Sequence, residues 1–231
     1  MQTGMTQDQT NIMSEARSLA HKAKTNPEFV QLMAEHGYDQ ASWGYFDELI
    51  ATAAESAYIR AQAEATKLGG TDTLQQQRVG VWRLAQRLIT ICYVVFKGQT
   101  ELLIRLGLHR SRRDGSDTSY RPKMTCDTPL ETLIPWLRNL FAVAQTSPEI
   151  AAVLAKHGFP AAKLAECAAA LEALAEAHHT REQATINRTE ACLKRNGAFN
   201  ALAKWLRCAQ RTQEDIEREE RRTMANGPVL G

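Results

Sequence analysis

The sequence has no Cys-x-x-Cys pair, no glycine-rich loop followed by lysine, and no apolar run long enough to cross a bilayer. Each absence removes a class of protein. Its five cysteines, Cys92, Cys126, Cys167, Cys192 and Cys208, are scattered and odd in number, which argues against a disulfide framework and against a thiolate zinc site. Reduced, mostly buried thiols are expected. The longest apolar stretch, from Leu88 to Phe96, contains Thr90 and is flanked by Arg87 and Lys97, far short of the roughly 20 residues a spanning helix needs. Twenty-eight basic against 26 acidic residues give a net charge of +2, too small a field to imply a nucleic acid or a membrane surface as partner. The first ten residues are polar, with no basic segment leading into an apolar one, and Gln2 breaks the myristoylation pattern, so a cytoplasmic protein is expected. No cysteine or serine stands in a local nucleophile motif, so no catalytic residue and no cofactor are expected.

Aromatics make up only 6% of the chain while 44% is hydrophobic, the composition of alanine- and leucine-rich helices in close contact. An all-α fold follows. The clearest signal is an internal repeat. Asn26-Pro27-Glu28 matches Ser147-Pro148-Glu149 at an offset of 121, and His36-Gly37-Tyr38 then falls on His157-Gly158-Phe159 without a gap. Arg17 meets Arg138, Glu55 meets Glu176, Arg60 meets Arg181 and Gln62 meets Gln183. Further on the frame shifts by a few residues, where Arg78-Val79-Gly80 best meets Arg195-Asn196-Gly197.

The punctuation of one copy predicts a helix over 7–25, a short one to Glu35 closed by Gly37, a helix over 40–67 capped by Asp39 and ended at Gly69-Gly70, and a helix over 72–97. Phe46, Leu49, Ile50, Ala53, Ala57 and Ala61 form one apolar stripe, matched by Leu164, Cys167, Leu171, Leu174 and His178. The second copy predicts helices over 128–157, 160–187 and 189–222. The expected architecture is therefore a tandem duplication of a three-helix up-down-up unit, residues 1–106 and 128–231, joined by a basic polar linker at 107–127 and packing into one six-helix, bundle-like body.

Polar residues that recur in both copies are the candidate binding residues: Glu55, Arg60, Glu176 and Arg181, set between the two repeats, where an enzyme or an anion-binding protein of the helical-bundle type would place its site. Glu and Arg on packed helices also serve to fix register, so cross-helix pairs are the plainer expectation. In the linker, Arg110, Arg112 and Arg113 make the one local basic cluster. Glu176 and His179 have the Glu-x-x-His spacing of a di-metal bundle, but Glu55 to Tyr58 supplies no second histidine, so no metal is expected. Gly80 and Gly197 are expected where helices cross closely. These residues together point to a non-enzymatic helical scaffold whose partner is another protein or its own copy.

Overall fold

Thr6, Asn26 and Asp39 set the first three helix starts in the computed structural model, which describes residues 4–111, 119–120 and 122–225. Helix α1, Gln7–Thr25, opens with a reciprocal box: the Gln9 amide donates to the Thr6 hydroxyl, and the Thr6 amide donates to the Gln9 side-chain oxygen. Asn26 accepts from the Phe29 amide at 3.0 Å and starts α2, Pro27–Glu35. Asp39 accepts from the Ser42 amide at 2.8 Å at the head of α3, Gln40–Val95, and that bond holds its carboxyl below the usual range. After α4, Thr100–Arg105, the pattern recurs as α5, Leu130–Thr146, α6, Pro148–Lys156, and α7, Ala161–Ala225. Gly37 at φ +88° and Gly158 at φ +87° end α2 and α6 at matching positions, each behind a histidine at the helix C-cap. Among the described residues the fold is all-helical but for a two-residue antiparallel pairing, β1 (Arg110–Ser111) with β2 (Ser119–Tyr120).

Two expected helix breaks do not exist. Helix α3 runs through Gly69-Gly70 and α7 runs through residues 187–189. A glycine ends a helix by taking positive φ, and of the described glycines only Gly4, Gly37, Gly98, Gly107 and Gly158 do so. Gly69 and Gly70 stay right-handed, with Thr71 and Thr73 donating back to the Lys67 and Gly69 carbonyls inside the helix. The up-down-up unit is corrected accordingly: its second and third helices are one. Arg78 and Arg195, matched in the sequence, are 117 residues apart instead of 121, a difference of four residues, about one helical turn.

Two compact units divide the chain, and their boundary cuts across the sequence repeat. One consists of residues up to Thr66 together with those from Thr185 onward; the other is 67–184. In the first, Met13, Ala16, Phe29, Met33, Phe46, Ala53 and Ala57 share a core with Phe199, Leu202, Leu206 and Ala209. Phe46 stacks on Trp205, ring centroids 3.9 Å apart, and Trp43 meets both edge-on. In the second, Leu88, Cys92 and Phe96 pack with Leu133, Leu137, Leu140, Leu154, Leu164 and Leu171. Burial pushes the Cys92 thiol up to about 12, which keeps it protonated and inert. The first unit thus combines α1, α2 and the first part of α3 with the latter part of α7, and the second combines the rest of α3 with α4 to α6 and the first part of α7.

Arg78 and Arg195 each tie a long helix to the start of another. Arg78 donates to the carbonyls of Cys126 and Thr128, at 2.5 and 2.8 Å, in the segment leading into α5. Arg195, buried in the first unit, donates to the Gly4 carbonyl at 2.6 Å, just before the α1 cap. Gly4 has φ +66°, and a Cβ there would drive into the Ala57 carbonyl, so no other residue fits beneath α1. The supposed linker is likewise anchored at its start: Leu106 and Leu108 are buried, and the Gly107 and Leu108 carbonyls accept from Trp136 and Tyr93 at 2.8 and 2.9 Å.

Gly80 and Gly197 do lie inside helices, but nothing stands within 4 Å of where their Cβ atoms would be, and both face solvent. The expected close crossings are therefore absent within the described residues. Because a helical glycine is up to about 1 kcal/mol less favourable than alanine, Gly80→Ala and Gly197→Ala should each raise stability by about 0.5–1 kcal/mol in urea denaturation. A loss of stability in either would mean that its backbone is not helical as described.

Candidate functional site

The candidate polar residues fall into the two units separately. In the first, Glu55 is exposed and forms no ion pair among the described residues, whereas Arg60 lies 3.4 Å from Glu64, one turn on. Glu64 also receives Arg188 from α7, and this hydrogen bond raises the Arg188 pKa further. Arg60 thus pairs within α3, and the bond across helices joins Glu64 to Arg188, neither of which the repeat singled out. The three side chains are half-buried or more, so the bond fixes the register of α3 against α7 within that unit.

In the second unit Glu176 and His179 both face solvent, and among the described residues neither joins a cluster of possible ligands. Arg138 makes a two-pronged bond to Glu172, at 2.9 and 2.8 Å, which holds the Glu172 carboxyl below its usual range; its sequence twin Arg17 has no such partner among the described residues. The repeated charges are thus not repeated contacts. Arg112 and Arg113 lie outside the described residues, and Arg110 contributes its backbone to the β pairing.

Arg181 lines a cleft of about 310 Å³ together with Thr71, Gln75, Arg78, Glu131 and His178. Three elements build it. Helix α3 supplies Thr71 to Arg78 just beyond Gly70, where a Cβ would stand in ordinary contact with Arg181 at 4.0 Å. The first turn of α5 supplies Glu131, and α7 supplies His178 and Arg181.

His178 was expected on the apolar stripe, and it does sit at the end of it, with 15% of its side chain exposed. Its Nε2 faces Glu131 at 3.6 Å and Glu182 at 3.7 Å. The three donor atoms all lie within 4.8 Å of one another. The His178–Glu182 step, four residues on one helix, is readable in the sequence; Glu131 joins only because α5 packs its first turn against α7. No family model, curated protein or solved structure matches the chain. Chemically, the cleft lining offers one carboxylate, one imidazole and two guanidiniums, and the Arg78 guanidinium is already committed to the Cys126 and Thr128 carbonyls.

Proposed function

We propose that this chain is a non-enzymatic helical scaffold, descended from a duplicated helical unit, that binds another protein chain or a second copy of itself through an outer helix face. The observation that carries the reading is on α7. Ile186 and Leu193, 52% and 69% exposed, stand two turns apart, and Gly197 follows Leu193 one turn later on the same face. Opposite them α7 buries Ala191, Leu202 and Leu206, the two leucines in the core of the first unit. A helical glycine that no neighbour in the chain requires is an unfavourable choice, but beside an exposed leucine it makes a knob and a hole of the kind a second helix fills. The matched caps at Gly37 and Gly158, and the matched roles of Arg78 and Arg195, support the duplication.

The test uses the full chain without a tag. Ile186→Glu with Leu193→Glu should leave the melting temperature unchanged, since exposed substitutions stay within about 0.5 kcal/mol. The same pair should abolish self-association in light scattering, or remove the protein captured by the unaltered chain from its source cells. An unaltered chain that is monomeric throughout, with the same captured proteins for both forms, would end this reading.

A second reading, an anion- or ligand-binding bundle, draws support from the polar cleft at Arg181, which lies wholly within the second unit and contains neither Glu55 nor Arg60. Loss of ligand binding on Arg181→Ala would favour it.

A further inference from the structure

We propose that two copies of this chain pair through α7 in antiparallel register, with Leu193 of each seated in the hollow at Gly197 of the other. This deepens the scaffold reading and rests on it, choosing a second copy over a different protein. The face is narrow and continuous. At about 100° per residue, Ile186, Leu193, Gly197, Asn200 and Lys204 lie within about 60° of one another around the helix, and all five are exposed. Phe199, Leu202 and Leu206 point the other way, into the core of the first unit.

Self-complementarity selects the partner. A leucine standing one turn from an unfilled glycine fits its own image when the helices run antiparallel, because the two-fold axis then falls between the two residues and each knob meets a hole. In a parallel pair each leucine meets a leucine and each glycine a glycine. The antiparallel register also sets Ile186 level with Lys204 of the other copy, and Glu190 level with Asn200. Glu190 is four residues from Ile186, about 6 Å along the axis, so its carboxylate is within reach of the Lys204 ammonium, whose aliphatic stem covers Ile186. The symmetry makes that ion pair twice. Neither Glu190 nor Lys204 has an ion-pair partner in its own chain among the described residues. On α3, Gly80 is also a solvent-facing helical glycine, but Gln76 stands one turn before it, so that hollow has no knob. The contact is a single helix pair about 28 Å long, at the small end for a stable interface, so the dimer should dissociate on dilution.

Sedimentation velocity on the tag-free full chain, across its soluble concentration range, should show a monomer–dimer equilibrium. Gly197→Leu fills the hollow and should abolish the dimer, whereas Gly80→Leu should leave it intact. Glu190→Lys and Lys204→Glu should each weaken dimerisation at least about 10-fold, since each turns two attractions into two repulsions. An equimolar mixture of those two variants should dimerise as the unaltered chain does. All four positions face solvent, so circular dichroism should show the helix content of every variant unchanged. A monomer at every concentration overturns this inference, and leaves the scaffold reading standing if Ile186→Glu with Leu193→Glu still loses a captured protein; with capture unchanged, both end. A dimer that survives Gly197→Leu, that Gly80→Leu also removes, or that neither charge variant weakens would place the contact elsewhere and overturn the inference too.

Discussion

Phe46→Ala will destabilise the chain by about 3–5 kcal/mol, the range for removing a large aromatic from a closed core. Phe46 is fully buried, its ring is stacked on Trp205, and Trp43 packs against its edge, so no small neighbour can move in to fill the space. Against a total stability of about 5–15 kcal/mol, that is a large fraction. The loss should appear in urea denaturation as a lower midpoint, and in hydrogen exchange as faster exchange along α1, α2 and residues 199–216 together, because those segments share one core. Tyr45→Ala, one residue away but more than half exposed, should cost far less. If Phe46→Ala lowered stability by under about 1 kcal/mol, the aromatic cluster would not be the centre of the first unit.

The second large effect is expected at the paired arginines. Arg195→Ala removes a charge-assisted bond to the Gly4 carbonyl, and Arg78→Ala removes two such bonds to the carbonyls of Cys126 and Thr128. Hydrogen bonds to charged groups are worth about 1.5–3 kcal/mol each, and a carbonyl left unpaired in a closed site adds its own penalty. Lysine is a poor replacement for Arg78, because a single ammonium cannot reproduce the planar fork that reaches two carbonyls at once. The effects should be local: faster amide exchange over residues 6–10 for Arg195→Ala, and over 128–134 for Arg78→Ala. Unchanged protection at both helix starts would show that these contacts do not hold them.

How much of this was legible in the sequence depends on how local the deciding interaction is. Asn26-Pro27, Asp39 and Gly37 dictate caps through their own side chains and backbone, and the helix starts and stops around them were readable. Gly69-Gly70 was not, because glycine permits either sign of φ and the choice falls to packing on both flanks. Leu74, Val81 and Ala85 on one side and Ala53 and Ala57 on the other are buried on a single helix. The apolar stripes at Phe46 and Leu164 announced the core, but not that Phe199 to Ala209 would close the first unit. The Glu64–Arg188 pair joins residues 124 apart, and no spacing rule reaches that far. The His178 cluster was half visible: His178 and Glu182 share a helix face by count, whereas Glu131 depends on how α5 packs.

The make-up of the first unit, residues up to Thr66 with those from Thr185 onward, also sets the order in which the molecule can be finished on the ribosome. Residues 67–184 are contiguous, so the second unit has all its parts once α7 is about a third made. The first unit does not. Phe29, Met33 and Phe46 emerge early, yet their partners Phe199, Leu202 and Trp205 follow roughly 150 residues later, an interval on the order of 10–30 s at ordinary elongation rates. Throughout it the most aromatic surface of the chain stands uncovered, so the segment made first is the last to fold, and a pause late in translation leaves a sticky, half-built nascent chain.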